Sequence, residues 1–299
     1  MKRFSILLLF FALIGFSGFL VTSCQKNDAM KGTLRLSLTD SPIDAYNITG
    51  VYITITGIEY NHNEQWKVFE GFEGPKTFNL LELTQGVSAL LGNFELEAGK
   101  YTQIRFMLDA PARGSGKPSN PGCWIEFADQ STVPLFVPSG GQTGYKAVGK
   151  FMVPVNGEVH VTADFDVRKS VVAAGQSGIF ILKPTIRLVV DNQAGAIAGT
   201  LTNLVENTEY VVFAYEDGKY AETEAAEPDP EKPRFPNAVV SSAANGQGKF
   251  YLAFLAQGLY DLVVVAMVDG KFSKVAKVIE NVEVKSKQTT NITIDLTLL

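Results

Sequence analysis

Cysteine and histidine are scarce, two of each in 299 residues, and each scarcity removes a class of function. Cys24 and Cys123 allow no disulfide framework, so hydrophobic cores must hold the fold together. His62 and His160 stand far apart with no cysteine partner, whereas zinc wants four N or S ligands, or three plus water. His62 lies in YNHNEQW and is expected to face solvent; His160 lies in EVHVTADFD, opposite Val159 and Val161. No GxSxG elbow offers a nucleophile for a Ser-His-Asp triad. PSGGQTGYK (138–146) has no adjacent Gly-Lys pair and NGQGK (245–249) runs into a strand, so neither reads as a phosphate-binding P-loop. Positive charge is short as well. Lys and Arg number 26 against 31 Asp and Glu, a net charge of −5 with scattered basic residues, which excludes a nucleic-acid footprint. No cofactor and no metal are expected.

What is present begins at the N-terminus, MKRFSILLLFFALIGFSGFLVTSC. Lys2 and Arg3 precede an apolar run from Phe4 to Val21, and the small Thr22 and Ser23 lead into Cys24. A basic start, an apolar stretch and small residues at the cut make a secretory signal. With cysteine next, the segment resembles a bacterial lipobox, which implies lipidation of Cys24 and removal of residues 1–23. The alternative is an uncleaved membrane anchor, which needs ~20 apolar residues; this run is glycine-broken and stops at a cysteine. Each buried methylene of an acyl chain contributes about 0.8 kcal/mol, so two or three chains hold firmly where one is marginal. Residues 24–31 then form the lipidated cysteine and a polar tether, about 25 Å long if extended. Gln25 stands where inner-membrane lipoproteins usually carry aspartate, and by resemblance to diderm lipoproteins this implies the outer membrane, on its periplasmic or its cell-surface face.

Beyond the tether, apolar and polar residues alternate with the period of two that marks half-buried strands. TLRLSLTD (33–40), VYITITGIEY (51–60), KYTQIRFMLD (100–109), EVHVTADFDV (158–167) and GIFILKPTIRLVV (178–190) are the clearest cases. Within FNLLELTQGVSALLGNFEL (78–96) one short helix is expected around Val87 to Leu91. DNQAG (191–195) is polar and turn-prone, and the alternation restarts after it. The pattern predicts an all-β chain of two β-sandwich domains, immunoglobulin- or transthyretin-like, over residues 32–190 and 195–299, with the one short helix in the first. AETEAAEPDPEKPRFPNA (221–238) is acidic and proline-rich, the composition of an exposed loop or flexible insert.

Several stretches carry a more specific resemblance: LTDSPID (38–44), the strand around Trp66, FNLLELTQG (78–86), AGKYTQIRFML (98–108), VPSGGQTGYK (137–146), DFDVRKSVV (164–172) and ILKPTIRLV (181–189). In this order they resemble an uncharacterised, Bacteroidota-type family of bacterial lipoprotein domains, the domain of unknown function DUF4382. The resemblance implies a β-sandwich-like fold and an exported lipoprotein, and no activity. Residues 195–299 resemble the transthyretin-like, carboxypeptidase-regulatory class of β-sandwich through GAIAGTL, NGQGKFYLAFLAQGLYDLVVVA and VIENVEVKSKQTTNITIDL. Such modules are usually non-catalytic spacers or binding platforms.

The best candidate patch is Asp164 and Asp166, which alternation places on one face of a strand about 7 Å apart. Such a pair suits a hard cation or acid/base chemistry, but Arg168, Lys169, Lys183 and Arg187 are at hand to make a structural ion-pair cluster instead. The second candidate is the loop Ser139, Gly140, Gly141, Gln142, Thr143, Gly144 and Lys146, since loops carry function disproportionately. Asp40, before Ser-Pro, is expected to cap a turn. The reading that follows is a non-catalytic cell-envelope lipoprotein, a binding, adhesion or scaffold module held to the membrane by lipid, with a protein or glycan partner. Its alternatives are a pilus-like subunit accepting a donated strand, a carbohydrate-binding module, and a hydrolase using Asp164 and Asp166. Oligomeric state stays open.

Overall fold

A computed structural model describes residues 30–41, 48–110, 122–137, 143–174, 178–183, 185–228 and 232–297. The expected leader, Cys24 and most of the expected tether lie outside these residues, as do Ser139, Gly140, Gly141 and Gln142 of the glycine-rich loop.

The alternating segments form strands. The N-terminal module contains β1 (Lys31–Ser41), β2 (Ile48–His62), β3 (Gln65–Val68), β4 (Lys76–Asn79), β5 (Ala89–Glu97), β6 (Gly99–Leu108) and β7 (Trp124–Phe127). It continues through β8 (Thr132–Phe136), β9 (Tyr145–Val153), β10 (Glu158–Asp166), the single-turn helix α1 (Val167–Ser170), β11 (Val171–Ala173), β12 (Phe180–Leu182) and β13 (Ile186–Val190). The C-terminal module contains β14 (Ala194–Thr202), β15 (Glu209–Glu216), β16 (Val240–Ala243), β17 (Lys249–Ala256), β18 (Gly258–Val268), β19 (Lys271–Val284) and β20 (Thr289–Asp295).

The first thirteen strands hydrogen-bond into one sheet, ordered β11-β12-β8-β7-β2-β6-β9-β13-β10-β1-β5, with β3 and β4 also pairing β2. Leu182 near one end of this order and Leu91 and Phe94 at the other belong to the same core as Leu36, Ile53, Phe106 and Phe165. The sheet therefore folds over on itself, and its two layers share one interior. β2 makes the connection: Tyr52 and its neighbours pair with β7, and Ile55 to Tyr60 pair with β6 after a register shift between Ile55 and Gly57. Such a shift bends a strand and steepens its twist.

The C-terminal module is a sandwich of a three-stranded sheet, β17-β14-β20, and a four-stranded one, β16-β15-β18-β19. Ile197, Leu252 and Ile294 of the first meet Val212, Leu262 and Val264 of the second. The outer face of β15 and β18 is apolar too, and Phe235 and Ala238 cover it. The acidic, proline-rich insert is therefore not wholly an exposed excursion. Its Phe235 is 1% exposed and packs against Phe213 with the two rings tilted, their centroids 4.7 Å apart. This cover explains why LVVVAM in β18 is buried on both faces.

In both modules the same device turns the chain between two consecutive strands that do not pair with each other, β5 to β6 and β17 to β18. Tyr101 donates its hydroxyl to the Glu97 carbonyl at 2.8 Å, and Tyr260 donates to Ala256 at 2.9 Å, each four residues back across a glycine.

The short helix of the first module lies at Val167–Ser170, not around Val87 to Leu91, where β5 begins. His62 also departs from expectation: it ends β2, stacks on Tyr101 at 5.2 Å and bonds Glu97 at 3.1 Å, so it is half-buried. Among the described residues no helix is long and apolar enough to cross a membrane.

Candidate functional site

The two carboxylates of the candidate patch stand where β10 runs out. Val159, Val161, Ala163 and Phe165 point into the core, so the intervening residues, ending in Asp164 and Asp166, point away from it. They do not reach open solvent, because the C-terminal module lies over them; Asp164 is 3% exposed. Asp166 turns the chain: its Oδ1 accepts from the Lys169 backbone N–H at 3.1 Å and caps α1. Asp40 assists from the neighbouring strand β1, accepting the Val167 N–H at 3.0 Å. The aspartate of LTDSPID thus caps a distant helical turn, and residues 42–47 after it lie outside the described ones.

Each carboxylate meets cations. Arg187, the cross-strand neighbour of Asp164 on β13, donates to Asp164 Oδ2 from Nε at 2.8 Å, with Nη2 at 2.6 Å. Lys169 Nζ lies 3.0 Å from Asp166 Oδ2, and Arg168 Nη2 lies 3.7 Å away. Three cations against two carboxylates leave positive charge over, and the C-terminal module receives it. Arg168 Nη1 donates to the Arg234 and Phe235 carbonyls at 2.9 and 2.8 Å. Lys169 Nζ donates to the Ala238 carbonyl at 2.6 Å, and Arg187 Nη1 donates to Phe254 at 2.9 Å. Arg168 also lies over the Phe213 ring, 5.4 Å from its centroid. The patch is a charged clasp between the two modules.

Burial sets its electrostatics. Desolvation pushes the Asp164 carboxyl above the usual carboxylate range; Arg187 pulls it back and Asp166 adds to the push. Burial likewise lowers Lys169, with Asp166 opposing. Charge-assisted hydrogen bonds to fixed carbonyls favour the ionised cations here.

Lys183, grouped with the patch by sequence, contributes through its backbone. Its N–H donates to the Ser170 carbonyl at 2.7 Å and its carbonyl accepts from the Tyr145 hydroxyl. Of the glycine-rich loop, the Thr143 carbonyl accepts from Arg105 Nη1 at 3.3 Å, and Gly144 has φ +68°. A Cβ at Gly144 would sit 2.9 Å from the Met107 sulfur, so glycine suits the position twice over. Lys146 extends from this loop to a cleft beside the clasp, which it shares with Asp164 and Arg187. The cleft has a volume of about 730 Å³, and Glu216, Lys219 and Asn237 of the C-terminal module form its opposite wall. Sequence reasoning missed these and the carbonyl acceptors; the available signal was Arg234 and Phe235, a cationic and aromatic pair inside a polar insert. Cys123 is fully buried. Among the described residues no three His, Cys, Asp or Glu side chains gather as a metal would require.

With this geometry in view, the sequence matches the model of the domain of unknown function DUF4382 over residues 31–184. The chain belongs to the DUF4382 family. The DUF4382 match covers β1 through β12 and with them both carboxylates, Arg168 and Lys169, while Arg187 stands just beyond it. No functionally curated protein matches the chain. Among solved structures, the chain is similar to the TIE protein of Bacillus anthracis at 15% identity and a TM-score of 0.20, over 88% of this chain and 34% of that one. It therefore spans about a third of that protein's length. A minor pilin of Streptococcus agalactiae shows 11% identity and a TM-score of 0.23, over 87% of this chain and 94% of the pilin. The major pilin subunit of Bacillus cereus shows 9% identity and a TM-score of 0.21, over 89% and 70%. The all-β fold of this DUF4382 chain is read from its own strands.

Proposed function

We propose that this chain is a non-catalytic lipoprotein of the outer membrane, anchored through acylated Cys24, which holds two β-sandwich modules in one fixed orientation to present their loops to a protein or glycan partner. The observation that carries this reading is the clasp. Asp164 and Asp166 are each met by a cation within 3.0 Å, Arg187 and Lys169, and those same cations grip the Phe254 and Ala238 carbonyls of the second module. A hydrolase reading needs a carboxylate free to take or give a proton beside a substrate, and here both are engaged in holding the junction. A strand-accepting pilus reading needs a receptive sheet edge. Of the sheet edges, the long strand β19 carries Lys271, Lys274 and Lys277, charges that discourage pairing with another chain.

The export half of the proposal rests on the leader sequence and is tested in cells. Mass spectrometry of the native product is expected to find residues 1–23 removed and acyl chains on Cys24, and Cys24→Ala is expected to release the chain from the membrane fraction. An intact leader or an unmodified Cys24 would contradict it. Protease treatment of intact cells then separates the surface-facing case, in which the chain is cut, from the periplasmic one.

A further inference from the structure

Met30 leads into β1 at one end of the N-terminal module. Its carbonyl accepts from the Ala98 N–H, in the turn from β5 to β6, at 2.6 Å. The Lys31 carbonyl accepts from Asn156, in the turn from β9 to β10, at 2.8 Å. Met152 on β9 lies across from Lys100 on β6, so the two share a face of the sheet. Three large apolar side chains open to solvent at this end: Met30 is 66% exposed, Met152 58% and Val155 46%. Exposed aliphatic side chains scattered singly are ordinary. These three share the end that six residues, at most about 21 Å of chain, join to Cys24. The charges agree. Glu95 is met by Lys31, Glu97 by His62 and Lys67, and Glu158 by His160. Lys100 and Lys150 are exposed and join none of these pairs, and the turn from Pro154 to Gly157 carries no charge. Ammonium groups beside exposed apolar side chains match a phospholipid surface, where lysine meets headgroup phosphate and apolar groups enter the acyl boundary. The clasp stands at the other end of the same ladder. β1 and β10 run parallel from Thr33 and Glu158 to Ser41 and Asp166, about 26 Å at the rise of a strand.

We infer that this end of the module seats on the bilayer: Met30, Met152 and Val155 enter the headgroup layer, Lys100 and Lys150 meet its phosphates, and the clasp is held away from the membrane. The inference rests on the lipoprotein reading, since acyl chains on Cys24 supply the attachment and this surface sets only the orientation. It is tested on the full-length product purified from membranes, its acylation checked by mass spectrometry, in vesicles of phosphatidylethanolamine and phosphatidylglycerol. A bimane fluorophore is placed on Val155→Cys, or on Lys219→Cys in the exposed turn beside the clasp. Bilayer contact is read as quenching by lipid that carries a spin label near its headgroup. Quenching is expected to be about fivefold stronger at position 155 than at position 219. The double variant Lys100→Glu, Lys150→Glu is expected to reduce quenching at position 155 about twofold while melting at the wild-type temperature. Equal quenching at the two positions of an acylated chain, or quenching at position 155 unmoved by the double variant, overturns the inference and leaves the lipid anchor standing. An unacylated product removes the anchor, and the inference with it.

Discussion

Arg168 has 2% of its side chain exposed, yet its charge is met by a carboxylate 3.7 Å away and by two carbonyls of the other module. Removing one partner of a buried ionic group costs about 3–5 kcal/mol, because the other is left uncompensated. Arg168→Met is therefore expected to lower unfolding stability by about 3 kcal/mol, measured by denaturant titration; a loss near zero would show that the guanidinium holds nothing. A second residue-scale prediction concerns alkaline pH. Burial pushes the Cys123 thiol from near 9 up to about 12, and the Tyr101 hydroxyl from near 10 up to about 12. Both folded values are raised, so the unfolded chain ionises first. The stability these groups lend is complete below about pH 9 and is lost as pH rises toward 12. Melting temperature is expected to fall across that window, and a flat profile there would contradict the burial of both groups. The residue pattern made part of this legible. Alternation alone placed Asp164 and Asp166 on one face and brought Arg187 within reach. It could not show that the cations also serve the second module, because a backbone carbonyl has no sequence signature.

At the scale of elements, strands were readable where the period of two was regular, as in β1 and β10, and misread where it broke. In β5 the buried residues are Leu91, Phe94 and Leu96, and the spacing of three between the first two imitates a helix. The cause is a bulge: Ser37 pairs with Leu90 and Leu36 with Gly92, so Leu91 is the extra residue and shifts the pattern by one. The insert at 221–238 was misread for a different reason. Its average composition is polar, but its one aromatic, Phe235, packs with Ala225 and Ala238 against the outer face of β15 and β18. Phe235→Ala is expected to cost about 3–5 kcal/mol and to raise amide exchange selectively in β15 and β18. Exchange unchanged in those strands would mean that the insert is not their cover.

At the scale of the molecule, the clasp turns two separately packed β modules into one body. Four backbone carbonyls of the C-terminal module, those of Arg234, Phe235, Ala238 and Phe254, accept from three side chains of the N-terminal one. On the proposed reading of a tethered module that presents loops, such a joint is an advantage, because a preorganised surface loses less entropy when it binds. The most direct test is the distance distribution between spin labels on Glu95→Cys and Asn291→Cys, exposed positions on β5 and β20. Buried Cys123 is not expected to label, which the unsubstituted chain verifies. A single narrow distribution that broadens in the Arg168→Met, Arg187→Met variant is the predicted result. A broad distribution in the unaltered junction would contradict the account.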